Sequence, residues 1–308
     1  MAGENARSGA FADGNILTIF SLYDISFPHN EKWGSLMASE AKQLSNQIIS
    51  IASSEKARIA GDVRARVSEA EWQARVELAA LYRMVAYFRW TDMIYNHISL
   101  RVPDGEETYL LNPFGLFYDE ITASSLVKVS VDGTVLDDPT GLGINRAGFV
   151  IHGAVHAARR DVTCVMHTHT RAGCAVAAQE HGLLPISQYA ATLTGHVAYH
   201  DFEGVAVNAE ERERLVADLG DRNVLILRNH GLLTCGRNPG EALVYMYAVE
   251  RACDIQVAAL SGGGEVRHIT PEAAAMSGEI HSSMGGDFSR DWKAFLRLAD
   301  HIGPDFRN

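Results

Sequence analysis

The first strong pattern in the chain is WQARVELAALYRMVAYFRW, whose apolar residues recur at helical spacing directly after Ser68-Glu69-Ala70-Glu71. An S-x-x-E box ahead of such a run predicts a helix with a capped start. After Trp90 the period shortens. IYNHISLRV, TYLLNP and SLVKVSV read as short strands, separated by the turn signals Pro103-Asp104-Gly105 and Asp132-Gly133. Arg146 to Arg159 returns to helical spacing, and Val162 to Thr170 (VTCVMHTHT) is a β-branched run suited to a central strand. Arg171–Glu180 and Glu210–Leu219 predict helices, and Asn223–Arg228 (NVLILR) a buried strand. Pro239 opens the long apolar-striped helix GEALVYMYAVERACDIQVAAL, which Ser261-Gly262-Gly263-Gly264 ends. A pair of helices follows, one of them DWKAFLRLADHI.

Ahead of Ser68 the pattern is weaker: a polar tail over Met1–Gly14, a packing segment over Asn15–Ser26 (NILTIFSLYDIS), and a broken helical stripe over Trp33–Ala60. The organisation expected is an N-terminal extension (1–67), one layered α/β domain (68–260) and a C-terminal helical extension (261–308). No internal repeat is visible.

Composition narrows the class. The 308 residues are 47% apolar and 21% charged, which excludes disorder, collagen and coiled coil as global descriptions. Lys and Arg total 27 against 38 Asp and Glu, a formal charge of −11 that argues against nucleic acid and anionic membranes as partners. No stretch of about eighteen consecutive apolar residues is present, so no membrane-spanning helix is expected. Cys164, Cys174, Cys235 and Cys253 show no C-x-x-C spacing. They read as reduced thiols, and with no basic n-region ahead of an apolar stretch the expected compartment is the cytoplasm.

Thirteen histidines are present, and their spacing carries the chemistry. His167-Thr168-His169 lies on the expected central strand, where residues two apart share a face. Two adjacent imidazoles suit a divalent transition metal, although cores also hold such pairs without one. His230, in Arg228-Asn229-His230-Gly231 at a strand end, tips the reading towards metal. His152 and His156 are four apart on a helix, but Gly153 breaks the H-E-x-x-H protease motif. Gly141 to Gly148 fits neither the dinucleotide nor the Walker pattern and reads as a turn, beside which Arg146 is placed to bind a carboxylate at a helix start. No G-x-S-x-G is present, and Asp119-Glu120 and Asp137-Asp138 read as loop charge rather than glycosidase acids.

Together, YNHISLRV, LNPFGLFYDEITASSLVKVSVDG, NRAGFVIHGAVHAARRDVTCVMHTHT, LPISQYA, VAYHDFEG and VLILRNHGLLTCG resemble class II aldolase/adducin proteins, closest to the adducin-like branch with its bacterial members. The resemblance runs from about Ala74 to Leu260. It implies a three-layer α/β/α fold around a central mixed or antiparallel sheet, and a homotetramer with active sites between subunits. It also implies a divalent metal held by His167, His169 and His230. Asn96 and the turn from Asn112 to Gly115 match substrate-binding positions of the sugar-phosphate aldolases, and Tyr189 falls near the position where those enzymes bring in a tyrosine from the adjacent subunit. Two departures stand out. Gly148 replaces the aldolases' metal-binding, proton-shuttling glutamate, and Arg146 and Ala147 replace the serine pair that holds sugar phosphate.

The expected function is therefore a divalent-metal-dependent lyase, of decarboxylase or aldolase type, acting on a C–C bond of a small non-phosphorylated carboxylate such as a hydroxy or keto acid. Zinc is the first choice of metal, with Mn, Fe or Co as others. Decarboxylation tolerates the missing glutamate, whereas retro-aldol cleavage needs a substitute base from among His152, Tyr189, Tyr199 and His200. Arg146 is the expected carboxylate partner. Two alternatives are a non-haem Fe(II) oxygenase using the same three histidines and a non-catalytic adducin-like binding module.

Overall fold

The computed structural model describes residues 59–103, 107–204, 209–283 and 288–308, all within one unit running from Glu55 to Asn308. The readings on Asn15–Ser26 and on most of Trp33–Ala60 lie outside the described residues.

Helix α1 (Glu69–Tyr87) begins where the sequence places it, with the Ser68 hydroxyl accepting from Glu71 N at 3.0 Å. Only that half of the expected capping box forms. The Glu71 carboxylate turns inward instead, to Arg75 Nε at 2.9 Å and Lys128 Nζ at 2.9 Å. Arg75 is fully buried and also donates to Leu126 O, so this ion pair joins the helix to the segment that leads into the sheet. Leu78, Leu81 and Met84 on the same helix are fully buried, and each side chain of this kind contributes about 1.5–3 kcal/mol.

The strands are β1 (His97–Arg101), β2 (Thr108–Leu111), β3 (Val127–Ser130), β4 (Val135–Asp137), β5 (Cys164–Thr168), β6 (Val197–His200), β7 (Val224–Leu227) and β8 (Gly231–Gly236). They form one sheet in the order β4-β3-β2-β1-β5-β8-β7-β6. Every pairing is antiparallel except the parallel β6–β7, so the sheet is mixed. The intervening helices are α2 (Arg146–Ala158), α3 (Arg171–Ala177), α4 (Gln188–Thr192), α5 (Ala209–Leu219), α6 (Pro239–Ser261), α7 (Pro271–Ser283) and α8 (Ser289–Ile302).

Strand alternation sorts the side chains into two layers. Ile98, Cys164, Met166, Ile226 and Leu232 face α1 and α6 in one core. Val165, Leu225, Leu233 and Cys235 face Ile151 and Val155 of α2 and Leu215 and Leu219 of α5 in the other. The architecture is thus helix–sheet–helix, as the resemblance implied. β4, β6, β8 and α4 add elements that the sequence pattern did not mark. The chain's last residues close the α1 side, where Phe306 is buried and its carbonyl accepts from Ala123 N at 2.8 Å. All four cysteines are free. No described helix is long and apolar enough to cross a membrane.

Two expected loops resolve as structure. Asp138 accepts from the amides of Thr140, Gly141 and Gly143, so the backbone N–H groups of this glycine-rich turn already serve an internal carboxylate. Glu120 caps a short turn by accepting from Phe117 N at 2.8 Å.

Candidate metal centre

β5 lies between β1 and β8, and its alternation carries His167 to the α2 side. His169 follows one residue beyond the strand end. His230 arrives from the tight connection Arg228-Asn229-His230 between β7 and β8, where Asn229 takes φ +57°, a left-handed conformation that asparagine tolerates. Gly231 lets that connection close, because a Cβ there would lie 2.4 Å from Thr168 O. The three imidazoles consequently meet. His169 Nε2 is 2.8 Å from His167 Nε2 and 2.9 Å from His230 Nε2, and ligand atoms of all three residues lie within 4.8 Å of one another.

The outer nitrogens fix the inner ones. His167 Nδ1 donates to Leu232 O at 2.9 Å, and His169 Nδ1 donates to Asp92 Oδ2 at 2.9 Å. A neutral imidazole has one N–H, so both Nε2 atoms carry bare lone pairs aimed at each other. Burial, reinforced by the neighbouring imidazoles, holds His167 well below the ordinary histidine value and lowers His230 to about 4. Lone pairs packed this closely repel unless a cation lies among them. The donor set fits a divalent transition ion with protein ligands on one side.

The sequence profile described as Class II Aldolase and Adducin N-terminal domain matches residues 76–257, more than half of the chain. The chain belongs to that family. An aldolase II superfamily protein from Pseudomonas syringae is 54% identical and superposes with a TM-score of 0.78, covering 80% of this chain and all of its own. An L-fuculose 1-phosphate aldolase from Glaciozyma antarctica is 27% identical with a TM-score of 0.68, over 78% of this chain and 94% of its own. Rat alpha-adducin is 42% identical over 74% of this chain, which spans 33% of the adducin's length. The family thus joins aldolases to adducins.

Two further layers of polar contacts surround the three histidines. On the α6 side, the buried Glu250 accepts from Thr168 Oγ1 at 2.9 Å and from Thr170 Oγ1 at 2.8 and 2.7 Å, while Cys174 Sγ donates to His230 O at 3.0 Å. On the α2 side runs a buried polar chain. His97 Nδ1 lies 2.8 Å from His152 Nε2, His152 Nδ1 lies 2.7 Å from Ser99 Oγ, and Ser99 Oγ lies 2.7 Å from His156 Nε2. Asp92, His97, Ser99 and Glu250 were not singled out from sequence. Glu250 left a trace there, as an acid inside the apolar stripe of α6. Asp92 left none.

The expected site residues divide. His152 joins the centre through His97, whose ring is 5.3 Å from that of His167. His200 and His230 line one small recess, and His200 Nδ1 donates to Asp218 at 2.8 Å, leaving a buried Nε2 with no partner among the described residues. Asn96 is buried, and neither its amide nitrogen nor its oxygen has a partner among the described residues. Asn112 is tied into the scaffold, its Oδ1 2.8 Å from Tyr82 Oη, and Gly115 takes φ +127° in the turn beyond it. Tyr199 serves packing: its hydroxyl accepts from Leu183 N at 3.0 Å and its ring lies under Arg228. Tyr189 is partly exposed beside Tyr247. Arg146 opens onto a separate cavity with Phe149, Val150 and Arg212, lined by none of the three histidines. The reason is helical geometry, since residues two apart on α2 point about 200° apart, and Gly148 faces the sheet.

Proposed function

We propose that this class II aldolase family member is a divalent-metal-dependent lyase that breaks a C–C bond of a small, non-phosphorylated 2-oxo or 2-hydroxy acid, or of an ortho-hydroxy aromatic acid. The convergence of His167, His169 and His230, with Nε2 atoms 2.8 and 2.9 Å apart, carries this reading. These residues would hold the metal, zinc in the first instance. When bound, it supplies Lewis-acid stabilisation of the enolate left as the bond breaks. Leu232 O and Asp92 keep two ligands in the metal-binding tautomer. His200, with Nδ1–H engaged by Asp218, offers Nε2 as a proton acceptor beside His230. Asn96 supplies an amide with no internal partner. Absence of the serine pair at 146 and 147 favours a carboxylate over a sugar phosphate. Assembly as a homotetramer with Tyr189 near a subunit boundary, and a cytoplasmic location, belong to the same proposal.

The test is metal content. Purified anaerobically, the protein should carry about one divalent ion per chain, and His167→Ala and His230→Ala should abolish it while remaining folded. Full occupancy in both variants means the ligands are elsewhere. Turnover that consumes O2 would move the reading to an Fe(II) oxygenase. The 42% identity to alpha-adducin supports a second reading, a non-catalytic binding module, and protein that retains and rebinds no metal would establish that one instead.

A further inference from the structure

The cavity on the outer side of α2 differs in kind from the metal centre. It has a volume of about 200 Å³, and Val131, Ile144 and Phe149 give it an apolar wall. Gly133 fixes that wall. At φ +80° its turn packs straight onto Phe149, where a Cβ would lie 2.9 Å from Cδ1. Arg146 from the start of α2 and Arg212 from α5 line the same space.

These two arginines lack the carboxylate partners found elsewhere in this acidic chain. Arg75 pairs with Glu71, Arg159 with Asp161 and, on α5 itself, Arg214 with Glu203. Among the described residues, neither Arg146 nor Arg212 has a hydrogen bond or an ion pair. Asp132 also lines the cavity, but its carboxylate is taken up by its own turn. Ser130 Oγ donates to it, as do Thr134 N and Thr134 Oγ1 at 3.2 Å each. Two like charges thus share one apolar-walled space, and an anion between them removes their repulsion. At about 30 Å³ per water the cavity holds several water volumes, enough for an anionic head with a carbon body.

We propose that this cavity is a second ligand site, one that takes a phosphate monoester with a compact apolar or aromatic body. The phosphate carries a charge of about −1.5 to −2 at pH 7, which matches two guanidinium groups, whereas a single carboxylate matches one. Val131, Ile144 and Phe149 cover the body. This goes beyond the lyase reading, because the ligand is not the substrate. None of His167, His169 and His230 lines the cavity, and neither does Asn96 or the turn from Asn112 to Gly115. α2 presents Arg146, Val150 and Gly153 to it and His152 to the sheet, so a ligand here braces the helix behind the metal centre.

Phenyl phosphate and inorganic phosphate are the probes, titrated calorimetrically into metal-loaded and chelator-stripped protein. Wild type should bind one phenyl phosphate per chain in both states, and more tightly than inorganic phosphate. Arg146→Gln and Arg212→Gln should each weaken phenyl phosphate about 10-fold or more, the loss expected for a charge-assisted contact, with the urea midpoint unchanged. Absence of binding, or unchanged affinity in either variant, would overturn the proposal. Binding that disappears with the metal would place the anion at the three histidines instead. Equal affinity for the two probes would leave an adventitious anion only, and the monoester site would be refuted.

Discussion

Thr168, between two of the site histidines, turns to the opposite face of the sheet and donates its hydroxyl to Glu250 across 2.9 Å. Thr170 donates to the same carboxylate, so a single acid on α6 holds the end of β5 at two points. The orientation of His167 and His169 is thereby linked to α6.

That arrangement has a pH signature. Burial, partly offset by the threonine hydroxyls, raises Glu250 from 4.5 to about 7. Between those values the folded protein takes up a proton that the unfolded chain releases. Stability is therefore highest below pH 4.5 as far as this group is concerned, falls as pH rises, and carries the full cost of about 3 kcal/mol above 7. Urea unfolding of the metal-free protein should show Glu250→Gln gaining on the wild type from pH 5 to 8. Parallel curves would mean that the carboxyl titrates normally.

Asp92 is partly exposed, yet it receives the Nδ1–H of His169. Its loss should barely affect folding and should weaken metal binding. For Asp92→Ala the expected change is about 10- to 100-fold in metal affinity by competition with a chelator, with stability within about 0.5 kcal/mol of wild type. Unchanged affinity would show that His169 needs no orienting partner.

The legible parts of the molecule were those written locally. The β-branched run VTCVMHTHT marks the central strand and the H-x-H pair at its end, and Ser68 marks the start of α1. Less local features were hidden. Gly231–Gly236 is buried at every residue, so β8 has no polar alternation to read. His97 matters because β1 pairs with β5 in one register, and pairing across about seventy residues leaves no trace in a local window. Tyr199 illustrates the converse. It sits in a recognisable motif, but its hydroxyl is committed to Leu183 N, a backbone contact that no spacing announces.

The buried histidines predict acid sensitivity in the metal-free protein. Burial, aided by the charge of Arg101, lowers His156 from 6.5 to about 3. Above pH 6.5 both folded and unfolded forms are neutral and the full stability is present. Below it the unfolded chain takes a proton that the folded one refuses, so stability falls by about 1.4 kcal/mol per pH unit until about pH 3. His156→Phe keeps a ring against Tyr109, now 4.3 Å away, and removes this proton. Its stability between pH 4.5 and 6.5 should fall with a slope shallower by one proton, and an identical slope would place the uptake on other groups.

Gly148→Ala tests the packing that excludes a side chain from α2. In an exposed helix this change stabilises by about 1 kcal/mol, because alanine has the better helix propensity. Here the added Cβ would sit 2.0 Å from His97 Nε2, and the ring is held from behind by His152 at 2.8 Å. Either the ring leaves its hydrogen bond or the first turn of α2 shifts, and overpacking of this kind costs about 1–3 kcal/mol. The sign of the effect should thus reverse. His97→Ala removes the obstacle, so in that background Gly148→Ala should become neutral or stabilising. A double-mutant cycle by urea unfolding should give a coupling of about 1–3 kcal/mol between the two positions. Additive effects would mean that His97 yields freely, and position 148 would then be open to a side chain after all.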